Sequence, residues 1–233
     1  MFVIKYVIAD IHGEFDKFLE MLDLIEFGDT DQLFILGDII DRGPKSLELI
    51  EFCMENEDNI ELLLGNHEDL MLMYYEGKIE AFLWFINGGK VTYESFEGLS
   101  LTKKLDILNF LDSRSLGKIV DNFVLVHAGI SPSEKSLPVR EALAQQSKED
   151  LLWIREDFIN YPTGLDDHVV IFGHTPVSSI CEIRQEEMNE PYAIWHDDIY
   201  ARDKIGIDCG VVRKSEGGRL GVLRLDDMKE FYV

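Results

Sequence analysis

The sequence predicts an α/β fold made of repeated strand-helix-strand units. Short apolar runs typical of buried strands alternate with segments whose apolar residues recur at helical spacing. Three early strands end in the polar residues Asp10, Asp38 and Asn66, and successive members of this set are 28 residues apart. Because this is about the length of one strand-helix-strand unit, three neighbouring parallel strands would bring these side chains to one edge of a sheet.

Length and composition favour a single domain over residues 1–233 with a sizeable core, since 46% of the residues are hydrophobic. The formal net charge of −23 disfavours nucleic acid and anionic membranes as partners. The three cysteines are widely spaced, which predicts neither a disulfide framework nor a structural zinc site and fits the reducing cytoplasm. The first apolar run ends at Asp10, too early for a signal peptide or a membrane span, and no later run reaches membrane length.

The early elements follow from local patterns. A β-rich opening covers residues 2–9, and an amphipathic helix runs from residue 14 to about 27. A buried strand is predicted at residues 33–36. The next helix should begin near Pro44, because proline suits the first helical turn, and a third strand covers residues 60–64.

The heptad from Gly37 to Gly43 is the most informative stretch of the chain. Its two glycines allow tight bends on either side of an acidic turn. Asp38, Asp41 and Arg42 lie directly after a strand, where ligands bind in α/β proteins. The alternative is a solvated loop with an incidental ion pair. A metal and phosphate site is the functional interpretation.

Residues 70 to about 111 are mostly helical in pattern, with breaks at residues 87–89 and around Gly98, and they predict a helical insertion. Its aromatic residues are expected to pack in the core, with a substrate cleft as the alternative for some of them: Phe82, Trp84, Phe85 and Phe96. Later strands are predicted at residues 123–126, 169–172 and 205–207, with a helical pattern over 138–154 and a hairpin around 215–218.

Several strand-end residues offer oxygen and nitrogen ligands but no thiolate, a set that suits divalent metals such as manganese or iron: Asp10, His12, Asp38, Asn66, His127 and His174. Four of the six histidines, His67 among them, directly follow strands. Independent structural histidines explain that recurrence poorly. Two divalent ions bridged by Asp38 would outweigh the charge of the carboxylates and give a positive pocket inside an acidic protein.

Together these motifs resemble the phosphoprotein phosphatase (PPP) family of metallophosphoesterases over residues 9 to about 210. The matching motifs are Asp10-x-His12-Gly13, Gly37-Asp38-x-x-Asp41-Arg42-Gly43, Gly65-Asn66-His67-Glu68, His127-Ala128-Gly129 and Gly173-His174-Thr175. Trp153-x-Arg155-Glu156, Ile207-Asp208-x-Gly210 and the stretch 83–89 are similar to the small bacterial and lambda-phage-type serine/threonine phosphatases. The resemblance implies a calcineurin-like fold, a central β-sandwich of mixed sheets flanked by helices.

The resemblance further implies a dinuclear centre of two divalent ions, expected to be Mn²⁺ with Fe or Zn as alternatives. One ion would be held by Asp10, His12 and Asp38, and the other by Asp38, Asn66, His127 and His174.

The catalytic residues implied by the resemblance surround these ligands. His67 would be the general acid and Asp41 its orienting carboxylate. Arg42 and Arg155 would clamp the phosphate, and Asn66 would also contact the substrate. For Arg155, a surface ion pair with its neighbour Glu156 is the alternative.

The main function implied is a serine/threonine protein phosphatase acting on phosphorylated proteins or peptides, with phosphotyrosine as a further substrate, by in-line attack of a metal-bridging hydroxide. The alternative is a symmetrical diadenosine tetraphosphatase (bis(5'-nucleosyl)-tetraphosphate hydrolase). Such enzymes generally lack an acid at the position of Asp41 and have Asp at that of Glu68, so both residues favour the protein phosphatase. No clustered basic track for a tetraphosphate is visible in the sequence. A non-catalytic interaction module is a remote third hypothesis, because all ligands and His67 are present.

The chain departs from the family pattern in three places. Ala9 replaces the usual Gly, and Cys209 stands where Thr is common, either as a buried spectator or as an oxidisable thiol. The 33 residues between His174 and Asp208 exceed what the smallest family members have, and their role is open, as is the oligomeric state.

Overall fold

The first of two five-stranded sheets carries the evenly spaced motifs. The computed structural model describes residues 3–132, 138–165, 167–187, 192–198 and 203–233. The strand order of the first sheet is β10-β9-β1-β2-β3, and β1, β2 and β3 are parallel neighbours, as the 28-residue spacing predicts. Its strands are β1 (Lys5–Ile8), β2 (Gln32–Ile35), β3 (Ile60–Leu62), β9 (Gly221–Arg224) and β10 (Lys229–Tyr232).

The second sheet has the order β4-β5-β6-β8-β7. Its three central strands β5, β6 and β8 are parallel, whereas the edge strands β4 and β7 run antiparallel to their neighbours. The strands are β4 (Gly117–Val120), β5 (Phe123–Val126), β6 (Val169–Phe172), β7 (Trp195–His196) and β8 (Lys204–Gly206). Both sheets are therefore mixed, and the calcineurin-like α/β architecture expected from the resemblance is confirmed.

The side chains of β1 point alternately to the two faces of the first sheet, and each face packs against a different layer. Tyr6 and Ile8 point to one face and join a core with the helices of the first sheet, including Phe18 of α1. Val7 and Ala9 point to the other face and join a core with residues of the second sheet. All of them are buried, which is why the strand is an unbroken apolar run. The sheets thus stack face to face between layers of helices.

Helices fill the connections between strands. In the first half they are α1 (Phe15–Leu24) and α2 (Ser46–Glu55), followed by α3 (Asn66–Tyr75), α4 (Ala81–Phe85), α5 (Lys90–Glu97) and α6 (Leu101–Asp112). In the second half they are α7 (Val139–Ala144), α8 (Lys148–Trp153), α9 (Glu156–Asn160) and α10 (Val177–Arg184). The helical stretch between β3 and β4 breaks near the glycines that predicted the breaks, although its first helix begins earlier, at Asn66.

Two predicted elements differ from the structure. The helical pattern over residues 138–154 forms two helices, because Ser147 caps the second one through a bond from the Asp150 N–H to its Oγ. Residues 215–218 belong to a short 3₁₀ turn, and the hairpin turn lies later, between β9 and β10. Strand β4 and helix α10 were not predicted. None of the helices in the described part of the chain combines the length and the apolarity needed to cross a bilayer.

Candidate metal centre and active site

The loops that follow β1 and β2 run side by side beyond the ends of their strands. The N–H groups of Asp10, His12 and Gly13 donate to the carbonyls of Gly37, Asp38 and Ile39, at 3.3, 2.9 and 2.8 Å. The extended pairing places the side chains of both motifs at the same edge of the first sheet. Gly37 has φ +92°, and a Cβ there would lie 2.5 Å from the backbone of Gly65, so only glycine allows the β2 and β3 loops to approach this closely.

Backbone strain concentrates at this edge. Twelve described residues other than glycine have positive φ, and half of them are candidate site residues: Asp10, His12, Asp38, Asp41, Arg42 and His174. Such conformations persist only where the surrounding structure enforces them, and they are common at functional sites. The loop network therefore holds these side chains in orientations that an unstrained turn would not give.

Asp38 lies at the centre of two groups of possible metal ligands. One group is His12, Asp38 and His67, and the other is Asp38, His127 and His174. Within each group the ligand atoms lie within 4.8 Å of one another. The second group also includes Asn66, whose Oδ1 lies 2.8 Å from both His127 Nε2 and His174 Nδ1. A carboxylate shared by two clusters is the arrangement that two neighbouring cations require.

The ring nitrogens show that this donor set fits cations. His12 Nδ1 donates to the Ile40 carbonyl at 2.9 Å, and His127 Nδ1 donates to that of Leu36 at 2.7 Å. In each neutral ring Nε2 therefore carries a lone pair. That of His12 accepts from Arg42 Nη1 at 2.5 Å, whereas that of His127 faces two acceptors, Asn66 Oδ1 at 2.8 Å and the Asp38 carboxylate at 3.5 Å. His174 Nε2 is buried without a hydrogen-bond partner among the described residues. Lone pairs that converge in this way are stabilised by a positive ion.

Protonation separates three of these histidines from the fourth. Burial lowers the pKa of His12, His127 and His174 below the ordinary value, which keeps them neutral, the form that binds metals. Burial acts in the same direction on His67, but Asp38 and Asp41 outweigh it and raise the pKa of that ring. The structure thus contains three candidate ligand histidines and one histidine suited to carry a proton.

Asp10 is arranged differently from the expectation. Both of its carboxylate oxygens accept the His174 backbone N–H, at 2.9 and 3.1 Å, and His67 rather than Asp10 completes the group around His12. Burial, Asp208 and Asp38 together raise the pKa of Asp10 well above its ordinary value. Burial also raises the pKa of Asp208 to about 6. A cation beside Asp10 and Asp208 would offset the cost of burying the charge of each carboxylate.

His67, Asp41 and Trp84 form a buried chain of hydrogen bonds. His67 Nδ1 donates to Asp41 Oδ2 at 2.7 Å, as the orienting role requires. The indole Nε1 of Trp84 donates to the same oxygen at 2.8 Å. The Asp41 N–H reaches the hydroxyls of Ser46 and Thr92, each at 3.0 Å. The sequence predicted packing for Trp84, with a substrate cleft as the alternative, and the structure shows that Trp84 also fixes the carboxylate that orients His67.

Glu68 is a structural acid. Its carboxylate accepts the backbone N–H groups of Asp38, Ile39, Ile40 and Gly65, at 2.8 to 3.3 Å. It thereby shapes the β2 loop around Asp38 and is itself fully buried. Since neither Glu68 nor the buried Asp41 faces a substrate, the two residues carry no information about the substrate.

A cleft of about 460 Å³ opens beside the metal cluster. Arg42 lies at its inner end, where its guanidinium contacts His12 Nε2 at 2.5 Å and His67 Nε2 at 2.9 Å. Arg155 Nη1 donates to the His174 carbonyl and to Thr175 Oγ1, each at 3.0 Å, so it is directed into the cleft. A third arginine, Arg213, also lines the cleft.

Sequence reasoning missed the positions of Trp84, Asp208 and Arg213 in the site. The motif Ile207-Asp208-x-Gly210 was visible, and it could have marked the segment that lines the cleft. The segment between His174 and Asp208, whose role was open, contributes helix α10 to the cleft wall through Ser179 and Ile183. Cys209 is buried and its pKa is raised well above the ordinary value by burial, which favours the spectator interpretation.

Comparison with known proteins identifies the fold family and bears on the substrate. The family model for calcineurin-like phosphoesterases matches residues 6–205. A symmetrical bis(5'-nucleosyl)-tetraphosphatase of Neisseria meningitidis is 36% identical over 156 residues, which are 63% of this chain and 50% of that protein. The chain spans about half the length of the first curated relatives that it matches.

Solved structures agree on the fold. A chain provisionally assigned as a diadenosine tetraphosphatase matches with a TM-score of 0.70 and 17% identity, over 99% of this chain and 93% of that one. A serine/threonine phosphatase of Saccharomyces cerevisiae matches with a TM-score of 0.64 and 17% identity, over 99% of this chain and 79% of that one. Identity at this level shows the fold alone, so these matches do not choose between the two substrates.

The curated relatives correct the expected function. At 33 to 36% identity they are named symmetrical tetraphosphatases, which overturns the prediction of a serine/threonine protein phosphatase and of a phosphorylated protein or peptide as substrate. The physical reason is that the residues used to decide, Asp41 and Glu68, bond to a ring and to backbone N–H groups. They shape the site but do not select what enters it.

Proposed function

The chain belongs to the calcineurin-like phosphoesterase family, and from that premise we propose that it hydrolyses bis(5'-nucleosyl) tetraphosphates symmetrically. The observation that carries the chemistry is Asp38 at the centre of two ligand groups. The substrate class follows the named relatives. Arg42, Arg155 and Arg213 in one cleft supply the local positive charge that a polyphosphate needs in a protein of net charge −23.

The proposed ligands would hold two divalent cations, Mn²⁺ first, with Fe or Zn as alternatives: Asp10, His12, Asp38, Asn66, His127 and His174. When bound, such ions supply concentrated positive charge against the phosphate oxygens and favour deprotonated water near neutral pH. The neutral ring of His127 already exposes a lone pair toward Asp38, and His12 Nε2 would exchange its contact with Arg42 for a cation.

The protein's own residues bind and orient the central phosphates. The guanidinium groups of Arg42 and Arg155 offer forked donors that match two phosphate oxygens each and stabilise charge as it moves onto them. Asn66 lies between His127 and His174, where its side chain also reaches the reacting phosphate in our proposal. Together these groups align one phosphorus for in-line displacement.

His67 supplies the proton in this proposal. Its Nδ1–H is held by Asp41. In this structure Nε2 accepts from Arg42 Nη2 at 2.9 Å, so the ring takes its second proton at Nε2 once Arg42 turns to the phosphate. A water oxygen bonds to one of the two central phosphorus atoms. The bond that breaks joins this phosphorus to the oxygen between the two central phosphorus atoms. The departing phosphate accepts the proton if it needs one, and the products are two nucleoside diphosphates. A phosphate is a better leaving group than an alkoxide, so the demand on His67 is modest.

Product analysis tests the proposal. Purified protein with Mn²⁺ is incubated with diadenosine tetraphosphate, and the nucleotides are separated by anion-exchange chromatography. We expect two ADP for each tetraphosphate consumed, and loss of the reaction when the metals are chelated. Readdition of Mn²⁺ should restore it.

A parallel assay with p-nitrophenyl phosphate makes a negative result informative. If p-nitrophenyl phosphate is hydrolysed in a metal-dependent way while diadenosine tetraphosphate is untouched, the phosphoesterase chemistry stands and the proposed substrate is wrong. ATP and AMP as the main products would also contradict symmetrical cleavage.

A further inference from the structure

The cleft beside the metal cluster extends beyond the residues that the phosphate chemistry uses. Its volume of about 460 Å³ is within the range of small-molecule sites. The part next to the metal cluster is formed by His12, Arg42, Arg155 and His174. The remaining walls come from α10 and from the segment after Asp208, and neither has a role in the proposed hydrolysis.

Arg213 is held at this further wall by its local backbone. Its N–H donates to the Gly210 carbonyl at 2.7 Å, which closes a tight turn, and the Gly210 N–H donates to Asp208 Oδ1 at 2.9 Å. Gly210 has φ +66°, and a Cβ there would lie 3.4 Å from Arg213 Cδ and 2.7 Å from the ring of Tyr192. The glycine thus leaves room for the Tyr192 ring against the turn that carries Arg213.

Glu216 and Tyr192 hold the Arg213 guanidinium without neutralising its charge fully. Arg213 Nη1 lies 3.4 Å from Glu216, and Tyr192 donates its hydroxyl to the same carboxylate at 2.6 Å. At 3.4 Å the ion pair is long, and the side chains of both Arg213 and Glu216 are partly exposed, so the pair is weak. The guanidinium also bonds to Tyr192, and its remaining donors are available to a ligand.

The surroundings of Arg213 suit a nucleotide. Pro176, Ile183 and Val212 give the cleft an apolar wall, while Ser179 adds a hydroxyl near the start of α10. A base or ribose packs against apolar surface, and phosphates bind guanidinium forks. The same cleft thus combines metal-cluster residues, three arginines and an apolar wall.

We propose that Arg213 and this wall form a subsite for one nucleoside diphosphate half of the substrate, in which Arg213 binds the phosphate nearest the ribose. The inference rests on the proposed function. Symmetrical cleavage requires the site to place the bond between the second and third phosphates at the metals. The charge of Arg213 can place this bond. By binding the phosphate nearest the ribose, it sets how many phosphates lie between the nucleoside and the reacting phosphorus.

The test compares two variants that each remove one positive charge. Arg213→Gln removes the proposed contact, and Lys214→Gln is the matched control, because Lys214 pairs with Glu14 at 2.7 Å and does not line the cleft. We expect Arg213→Gln to lower the ratio of kcat/KM for diadenosine tetraphosphate to kcat/KM for p-nitrophenyl phosphate by about 10-fold to 100-fold, the range for a lost charge-assisted hydrogen bond. Lys214→Gln should leave that ratio within about twofold.

Two further readouts separate binding from a general structural effect. In Arg213→Gln, ATP and AMP should appear beside ADP, because the register of the phosphate chain is lost. Binding of ADP, measured by calorimetry, should weaken about tenfold, whereas adenosine binding should be the same as in the unsubstituted protein. Arg213→Lys should recover part of the ADP affinity, since it keeps the charge and loses the fork.

The outcomes distinguish this subsite from the proposed function. If the unsubstituted protein yields two ADP but Arg213→Gln behaves like Lys214→Gln in ratio, products and ADP affinity, the subsite is wrong and the hydrolase proposal stands. If the unsubstituted protein does not cleave the tetraphosphate, the hydrolase proposal fails. ADP binding that depends on Arg213 would then still support a nucleotide subsite.

Discussion

The metal cluster and the cleft beside it are built in different ways. The cluster comes from loops that directly follow strands and from the first turn of α3, and backbone hydrogen bonds hold several of its residues in strained conformations. The cleft is assembled from Arg42, Arg155 and Arg213, which lie far apart in the sequence, and from the walls of α10. The difference teaches that motifs which identify the metal cluster do not by themselves identify the residues that assemble beside it.

Two buried acids illustrate the same separation. Asp41 accepts from His67 and Trp84, and Glu68 accepts from four backbone N–H groups. Asp41 acts on the His67 ring, and Glu68 acts on the loop that follows β2. Their identities can therefore vary with the architecture of the loop without changing which phosphate ester enters the cleft.

The largest effect is expected at the centre of the cluster. Asp38→Asn should abolish binding of both metals, because this carboxylate belongs to both ligand groups. Activity should fall by much more than about 100-fold. That value is the upper range for losing a residue that only hydrogen-bonds to a metal ligand. His12→Asn, which affects one group, is the comparison. Metal content measured by mass spectrometry should be lower in Asp38→Asn, and equal occupancy in both variants would remove the bridging role.

The next effect concerns proton transfer. His67→Asn should lower kcat on phenyl phosphate by about 10²–10⁴-fold, the range for a lost general acid. The loss on p-nitrophenyl phosphate should be much smaller, since its leaving group scarcely needs a proton. Metal content is measured alongside, to separate a lost acid from a lost ligand, because His67 lies in the group with His12. Equal losses on both esters would contradict the acid role.

A smaller effect is expected at Trp84, which acts on His67 only through its hydrogen bond to Asp41. Trp84→Phe keeps most of the buried ring volume but removes the donor to Asp41, so kcat on phenyl phosphate should fall about tenfold. Trp195→Phe is the matched control, because that indole donates to Glu186 instead. If Trp84 acts through the Asp41–His67 pair, the loss should again shrink with p-nitrophenyl phosphate. A loss that is the same for both esters would indicate packing alone.

The smallest effect is expected outside the cleft. Phe82 on α4 is 68% exposed, and the sequence left open a role for this helical region along a bound substrate. If the cleft alone selects the substrate, Phe82→Ser should change kcat/KM for diadenosine tetraphosphate by less than about twofold. A tenfold loss in steady-state assays would place the α4 surface in the substrate path and weaken the contrast between cluster and cleft.

Much of the fold and of the cluster could be predicted from the sequence. Apolar runs located the parallel strands, and the 28-residue spacing placed Asp10, Asp38 and Asn66 at one sheet edge, where the structure has the ends of β1, β2 and β3. This works because strand period and crossover length are local properties. The hairpin position was wrong, and the helical pattern over 138–154 forms two helices, since caps and turns decide those boundaries.

Only the tertiary structure decided which distant side chains meet. Trp84 reaches Asp41 across 43 residues, and Arg213 shares a cleft with Arg42, although no basic track was visible in the sequence. The physical reason is that such contacts depend on how two sheets and their helices pack, not on any local period. By itself the sequence therefore determined the metal-binding residues as candidates, the strands and the order of the motifs. The packing of the two sheets and their helices determined the cleft.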